Sequence, residues 1–172
     1  LYSAIDQVVP GTKGGSTHVT AVAEGLAALG HEMHVLVTPG ARPFPHGYVH
    51  WIPMSPPFGM NQLRWARSGA VRGLMERLKP DVVMGRYYNF GAAAILHARD
   101  FNARTVLEVN APVIDYPGST KAMVDRALLV RPLERRRGRL CAAADVIITP
   151  SAASLPPHTP AEKVLQLEWG AQ

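Results

Sequence analysis

The sequence predicts a doubly wound α/β domain, a mostly parallel sheet with helices packed on both faces. Three observations lead there. An apolar run, Leu1 to Ile5, enters a loop containing Gly14 and Gly15 that opens directly into an amphipathic helix. Val19, Val22, Ala23, Leu26 and Leu29 recur at helical spacing, and Gly30 stops that helix. From there to the end, short apolar runs alternate with helical patterns, the signature of repeated strand–helix–strand units.

The elements follow in order. Met33 to Val37 reads as a buried strand, and Pro39-Gly40 opens a Pro- and Gly-rich loop running to about Gly47. Tyr48 to Ile52 is a third strand, broken by Ser55-Pro56-Pro57. A helix from about Met60 to Leu78 turns Leu63, Val71, Leu74 and Leu78 inward. Pro80-Asp81 ends it, and Val82 to Met84 forms a short strand. Phe90 to Phe101 is an alanine-rich helix suited to close packing on a sheet, and Thr105 to Val109 is the next strand. A helical pattern from Ser119 is divided by Pro132, which suits the first turn of a new helix carrying Leu133, Leu140 and Ala144 inward. Strands Val146–Ile148 and Val164–Leu167 complete the series.

At 172 residues the chain has the size of one domain, 1–172, and 47% hydrophobic with 18% charged residues excludes global disorder. No apolar run reaches spanning length and no charged segment precedes a hydrophobic one at the start, so the expectation is a soluble, cytoplasmic protein. A single cysteine, Cys141, excludes an internal disulfide framework and a cysteine zinc site. The net charge of +5 is concentrated. Arg126, Arg131, Arg135, Arg136, Arg137 and Arg139 crowd one segment, while Arg64, Arg67, Arg72 and Arg77 lie on another. Either these are solvated helix faces, or they meet an anionic membrane surface or a phosphorylated substrate. Nucleic acid is disfavoured, because no aromatic interleaving or binding motif accompanies the arginines.

In a doubly wound fold, ligands bind outside the carboxyl ends of the strands. The candidate loops are therefore Pro10 to His18, Gly85 to Asn89, Asn110 to Asp115 and Pro150 to Ser154. Gly14 and Gly15 let backbone N–H groups approach an anion at a helix N-terminus, although a strand–helix turn also uses glycine without any ligand. Their spacing fits neither the dinucleotide fingerprint nor the P-loop, which disfavours a dehydrogenase or a nucleotide triphosphatase. His31-Glu32-Met33-His34 is one residue short of the metalloprotease helix motif and falls at a strand entrance. No serine lies in a nucleophile-elbow pattern. Arg86 offers a planar fork for phosphate or carboxylate, and Tyr87, Tyr88 and Asn89 offer ring faces and polar groups for sugars. Alternatively they form a surface ion pair with packing tyrosines. Glu108 sits inside an apolar strand, where a carboxylate must be paired, whether with a helix terminus or in chemistry.

The order Gly14-Gly15…His18, Leu29-Gly30-His31-Glu32-Met33-His34-Val35, Lys79-Pro80-Asp81-Val82-Val83 and Ala144-Asp145-Val146-Ile147…Ser151 resembles the N-terminal half of family-4 retaining glycosyltransferases. The closing Lys163-Val164…Trp169-Gly170-Ala171 is similar to the last strand of that half. The resemblance covers nearly the whole chain. It implies one Rossmann-like half of a GT-B fold, the acceptor side, whose donor-binding C-terminal partner domain is absent from this chain. An isolated acceptor half is expected to be inactive. By the same resemblance, Gly14 and Gly15 lie against the donor phosphates. His18, Arg86, Tyr87, Tyr88, Asn89 and Glu108 become candidates for the acceptor, a sugar, lipid or small molecule. Asn110 stands where many members place a histidine that contacts the donor sugar, and asparagine cannot titrate near neutral pH. No cofactor and no catalytic metal are implied; the nucleotide-diphosphate sugar is a substrate. A stand-alone module for a phosphorylated ligand or an anionic membrane surface is the alternative.

Overall fold

The structure, a computed structural model, describes residues 1–45, 47–88, 90–110 and 130–167. Within them the strands are β1 Tyr2–Val9, β2 Met33–Pro39, β3 Val49–Pro53, β4 Val82–Tyr87, β5 Arg104–Val109, β6 Val146–Thr149 and β7 Val164–Gln166. All seven pair in parallel, in the order β3-β2-β1-β4-β5-β6-β7. The α-helices are α1 Gly14–Ala28, α2 Ser68–Leu78, α3 Ala93–His97 and α4 Val130–Ala143. The sheet is doubly wound and Rossmann-like, as expected.

Alternation along the strands separates two cores. Tyr2, Ala4, Val35 and Val37 meet Val19 and Ala23 of α1 on one face. Leu36, Val83, Leu107 and Ile147 meet Leu74 of α2, Ile95 of α3 and Leu140 of α4 on the other. A strand buried on both sides needs apolar residues at successive positions, which is why these strands read as continuous runs. Leu133, Leu140 and Ala144 all face inward, and Cys141 is buried beside them. The end of α1 is a Schellman turn. Gly30, at φ +91°, donates its N–H to Ala27 O at 2.9 Å, and His31 donates to Leu26 O at 3.2 Å.

Several elements differ from expectation, each for a local reason. β1 runs to Val9 rather than Ile5, because polar Asp6 and Gln7 occupy a bulge and the strand re-pairs with β2 at Val8. β4 continues through Tyr87, with Arg86 opposite Glu108 and Tyr87 opposite Val109, so Arg86 and Tyr87 are strand residues, not loop residues. The helix placed at Met60 to Leu78 begins as a 3₁₀ segment, Asn61–Arg67, and turns α-helical only at Ser68. Three residues per turn bring Arg64 and Arg67 to one side. There Arg64 donates to Tyr88 O at 2.9 Å and Arg67 to Ser55 O at 2.8 Å, so two loop carbonyls are satisfied by the tighter coil. The alanine-rich helix starts at Ala93, after a turn closed by Gly91 N–H on Tyr88 O, and finishes as 3₁₀ over Ala98–Phe101. The helical pattern from Ser119 lies outside the described residues until Val130.

Small residues let α3 press on the sheet. A Cβ on Gly85 would stand 2.7 Å from Ile95 Cγ1 and 3.3 Å from Ala92 Cβ, inside the core. Gly85→Ala is expected to overpack this contact and cost roughly 1–3 kcal/mol. The expected readout is a lower urea midpoint with an unchanged slope; an unshifted midpoint would show that α3 yields freely.

Candidate functional site

Strand order reverses between β1 and β4, the position at which a doubly wound sheet opens a crevice at its carboxyl end. The register makes that opening explicit. β1 pairs with β4 only at Tyr2–Met84 and Ser3–Gly85, whereas β4 stays paired with β5 to the end. Beyond Ser3 the bulge lifts Asp6 and Gln7 away from the ladder, a recognised way of re-aiming side chains next to a site. Thr38 Oγ1 donates to Ile5 O at 2.8 Å and so satisfies one carbonyl the bulge would otherwise strand.

The same alternation turns Arg86 and Glu108 toward α1. Glu108 is fully buried and receives three donors. The Tyr2 hydroxyl donates to Oε2 at 2.6 Å, His18 Nε2 stands 2.7 Å from Oε1, and Asn110 Nδ2 donates to Oε1. Arg86 Nη1 lies 3.6 Å from the same carboxylate, and Arg86 Nε lies 3.3 Å from Asp6 Oδ2. Gln7 Nε2 donates to Asp6 in turn. Burial alone would push the Glu108 carboxyl up. The hydrogen bonds from His18, Tyr2 and Asn110, with the charge of His18, outweigh it and hold the group below the ordinary carboxylate range. Burial and the neighbouring Glu108 push the Tyr2 phenol well above its ordinary value, so it stays a donor. Carboxylates and cations are therefore interleaved in one buried network beneath the N-terminus of α1.

Above that network lies the glycine loop. The N–H groups of Gly14 and Gly15 belong to the first turn of α1 and have no intrahelical acceptor. A Cβ on Gly14 would meet nothing within 4 Å, so a side chain there would project into open space. A Cβ on Gly15 would run into the Gln7 amide, and one on Gly11 would stand 2.7 Å from Ser16 Oγ. Gly40, after β2, lies against the Pro10 carbonyl with no room for a Cβ, while its N–H donates to Val9 O at 2.9 Å. The loops after β1 and β2 thus touch backbone to backbone.

Gly14, Gly15, His18, Arg86, Glu108 and Asn110 come together as one constellation. Tyr87 does not join it. It points to the opposite face, 4% exposed, with the Arg137 guanidinium 4.7 Å above its ring, and burial raises its phenol pKa. Tyr88 follows β4, its ring under Arg64 and 5.0 Å from the guanidinium carbon. Asn89 lies outside the described residues. Asp6, Tyr2 and Arg64 escaped the sequence reading. Two-residue spacing through Tyr2, Ala4 and Asp6 is the available signal, and the polar pair Asp6-Gln7 conceals it by ending the apolar run at Ile5. Arg64 is buried, lines a small cavity with Asp6 and Arg86, and its Nε and Nη2 find no acceptor among the described residues. Nothing in its sequence context separates it from the other arginines of that segment.

Comparison with protein families matches residues 12–155 to Glycosyltransferase Family 4. The chain belongs to that family. No curated protein matches it. The family-4 match spans the glycine loop, His18, Arg86, Glu108 and Asn110, and it begins after Tyr2 and Asp6, so two members of the buried network lie outside it. Within this family-4 domain no described helix is long and apolar enough to cross a membrane.

Glu108→Gln removes the charge that four groups share and is expected to cost roughly 3–5 kcal/mol at neutral pH. Because the folded-state pKa is depressed, the carboxylate's contribution is complete above its unfolded value and is lost as pH falls through the folded one. The gap between wild type and variant in urea unfolding should be widest above the ordinary carboxylate range and narrow as pH falls below it; a gap independent of pH would deny the carboxylate this role.

Proposed function

We propose that this domain is the acceptor-side half of a retaining hexosyltransferase, moving a sugar from a nucleotide-diphosphate donor to an acceptor. The donor would be shared with a C-terminal domain beyond this chain, and the half alone would not turn over. One observation carries the reading: Gly14 opens α1 exposed and with no intrahelical acceptor for its N–H, in the same helix whose His18 meets the buried Glu108 at the switch point. Membership of Glycosyltransferase Family 4 supports sugar transfer in general.

The chemistry assigned to each residue follows from its surroundings. Transfer breaks the bond between the sugar's anomeric carbon and the diphosphate oxygen, and forms one to the acceptor oxygen on the same face. The acceptor's proton passes to the departing diphosphate. Gly14 and Gly15 N–H groups would meet charge developing on that leaving group, where fixed donors act without reorganisation. Asn110 spends its Nδ2 on Glu108, leaving Oδ1, buried and without a partner among the described residues, to accept from a sugar hydroxyl. His18, 24% exposed beside Glu108, would contact the acceptor with Arg86. Glu108 positions these side chains and touches no substrate. Tyr87 is assigned no contact with the acceptor, because its face of the sheet is covered by α4. No cofactor or catalytic metal enters the proposed reaction.

In the complete enzyme, Gly14→Val is expected to keep the thermal midpoint while lowering transfer at least tenfold, about 1.4 kcal/mol of transition-state binding. Gly14 is a cleaner probe than Gly15, whose Cβ would displace Gln7. Transfer at the wild-type rate would remove the loop from the reaction. Inversion at the anomeric carbon, read by proton NMR of the product, would overturn the retaining assignment.

A second reading, contact with an anionic surface, is favoured by the way the arginine cluster divides. Arg131, Arg135 and Arg139 are exposed at i, i+4 and i+8 on one side of α4. Arg137 is buried and donates to Ser154 O at 2.6 Å, and Arg136 donates to Gly91 O at 2.9 Å, so these two hold loops in place. Arg126 lies outside the described residues. Replacing Arg131, Arg135 and Arg139 with Glu should abolish sedimentation with anionic vesicles and leave folding intact. Sedimentation unchanged in that variant would remove α4 from any such contact.

A further inference from the structure

The carboxyl end of the sheet holds the proposed reaction, yet a cluster of metal-ligating side chains stands at the other end. Met33 and Val49 begin β2 and β3, and the parallel register sets His34 opposite His50. Their rings stack, with centroids 4.8 Å apart and planes 19° from parallel. Glu32, immediately before β2, places Oε1 2.9 Å from His34 Nε2. One donor atom from each of the three falls within 4.8 Å of the others. His34 is half-buried, while Glu32 and His50 are exposed.

We propose that Glu32, His34 and His50 bind a borderline divalent transition-metal ion of the Zn²⁺ type, which ties the edge strand β3 to β2. Two imidazoles and one carboxylate suit Zn²⁺, Co²⁺, Ni²⁺ or Cu²⁺, whereas Mg²⁺ and Ca²⁺ favour oxygen donors. Three protein ligands leave a fourth tetrahedral position open to solvent. Zinc–nitrogen bonds of about 2.05 Å put two ligating nitrogens roughly 3.3 Å apart, a closure that rotation of exposed side chains supplies without moving the strands. Binding replaces the proton that His34 and Glu32 share with the metal ion. His31-Glu32-Met33-His34 cannot chelate through helical spacing; the neighbouring strand supplies the missing histidine instead. The site lies about 16 Å along β2 from its carboxyl end, by strand rise, so its role is structural and independent of sugar transfer.

Zn²⁺ alone is the probe, titrated into the protein by calorimetry and followed by the ring-nitrogen NMR signals of the histidines. The expected result is one equivalent bound, with the signals of His34 and His50 shifted. His34→Ala and His50→Ala should each weaken binding more than tenfold, and His31→Ala should leave it unchanged. Failure to bind at roughly millimolar Zn²⁺, or equal binding by wild type, His34→Ala and His50→Ala, would overturn the site. If a variant fails to fold, the wild-type spectrum still decides: Zn²⁺ that shifts other histidines but not His34 and His50 overturns it as well.

Discussion

The organisation of the crevice depends on one buried carboxylate. Glu108 stands in the fifth strand, without access to water, and is tolerated only because donors from two other elements and from its own strand end converge on it. Tyr2 ties it to the first strand and His18 to the first helix, while Asn110 braces it from just past its own strand. A group that must be satisfied from so many directions fixes the distances among them. The N-terminus of α1 is therefore held over the crevice by electrostatics as well as by the apolar packing of Val19 and Ala23. Preorganisation of this kind is what a site needs if its donors are to meet developing charge without rearranging.

Strand–helix alternation was readable because buried parallel strands and amphipathic helices leave different periods in the sequence. The glycine loop, the Gly30 stop and the inward face of α4 were legible for the same reason. What escaped was whatever depends on register between distant strands. Asp6 belongs to the site only because β1 bulges after Ala4, and nothing local distinguishes that bulge from the end of a strand. Tyr87 and Arg86 are neighbours in sequence but lie on opposite faces, since β4 runs further than its apolar core suggested. Glu108 was visible as a misfit in an apolar strand; its partners were not, because they lie up to 106 positions away.

The arginines make the same point about charge. As a run in the sequence, Arg135-Arg136-Arg137 is a single basic feature. On the helix it is three different things: a solvated cation, a clamp on the loop after β4, and a buried guanidinium that stacks on Tyr87 and holds the loop after β6. Buried arginines of this kind act through their planar fork and apolar stem as much as through charge. Net charge thus overstates the basic surface this chain offers to partners.

The backbone contact between the loops after β1 and β2 has a consequence for divergence. Gly11 is confined by the Val8 carbonyl near the end of β1 and Gly40 by the Pro10 carbonyl of the first loop, and no choice of rotamer moves either aside. A side chain at Gly40 would force the first loop to shift, and one at Gly11 would push against the end of β1 and the start of α1. New specificity in such a domain would have to be sought away from this corner, where backbone already occupies the space a side chain would need.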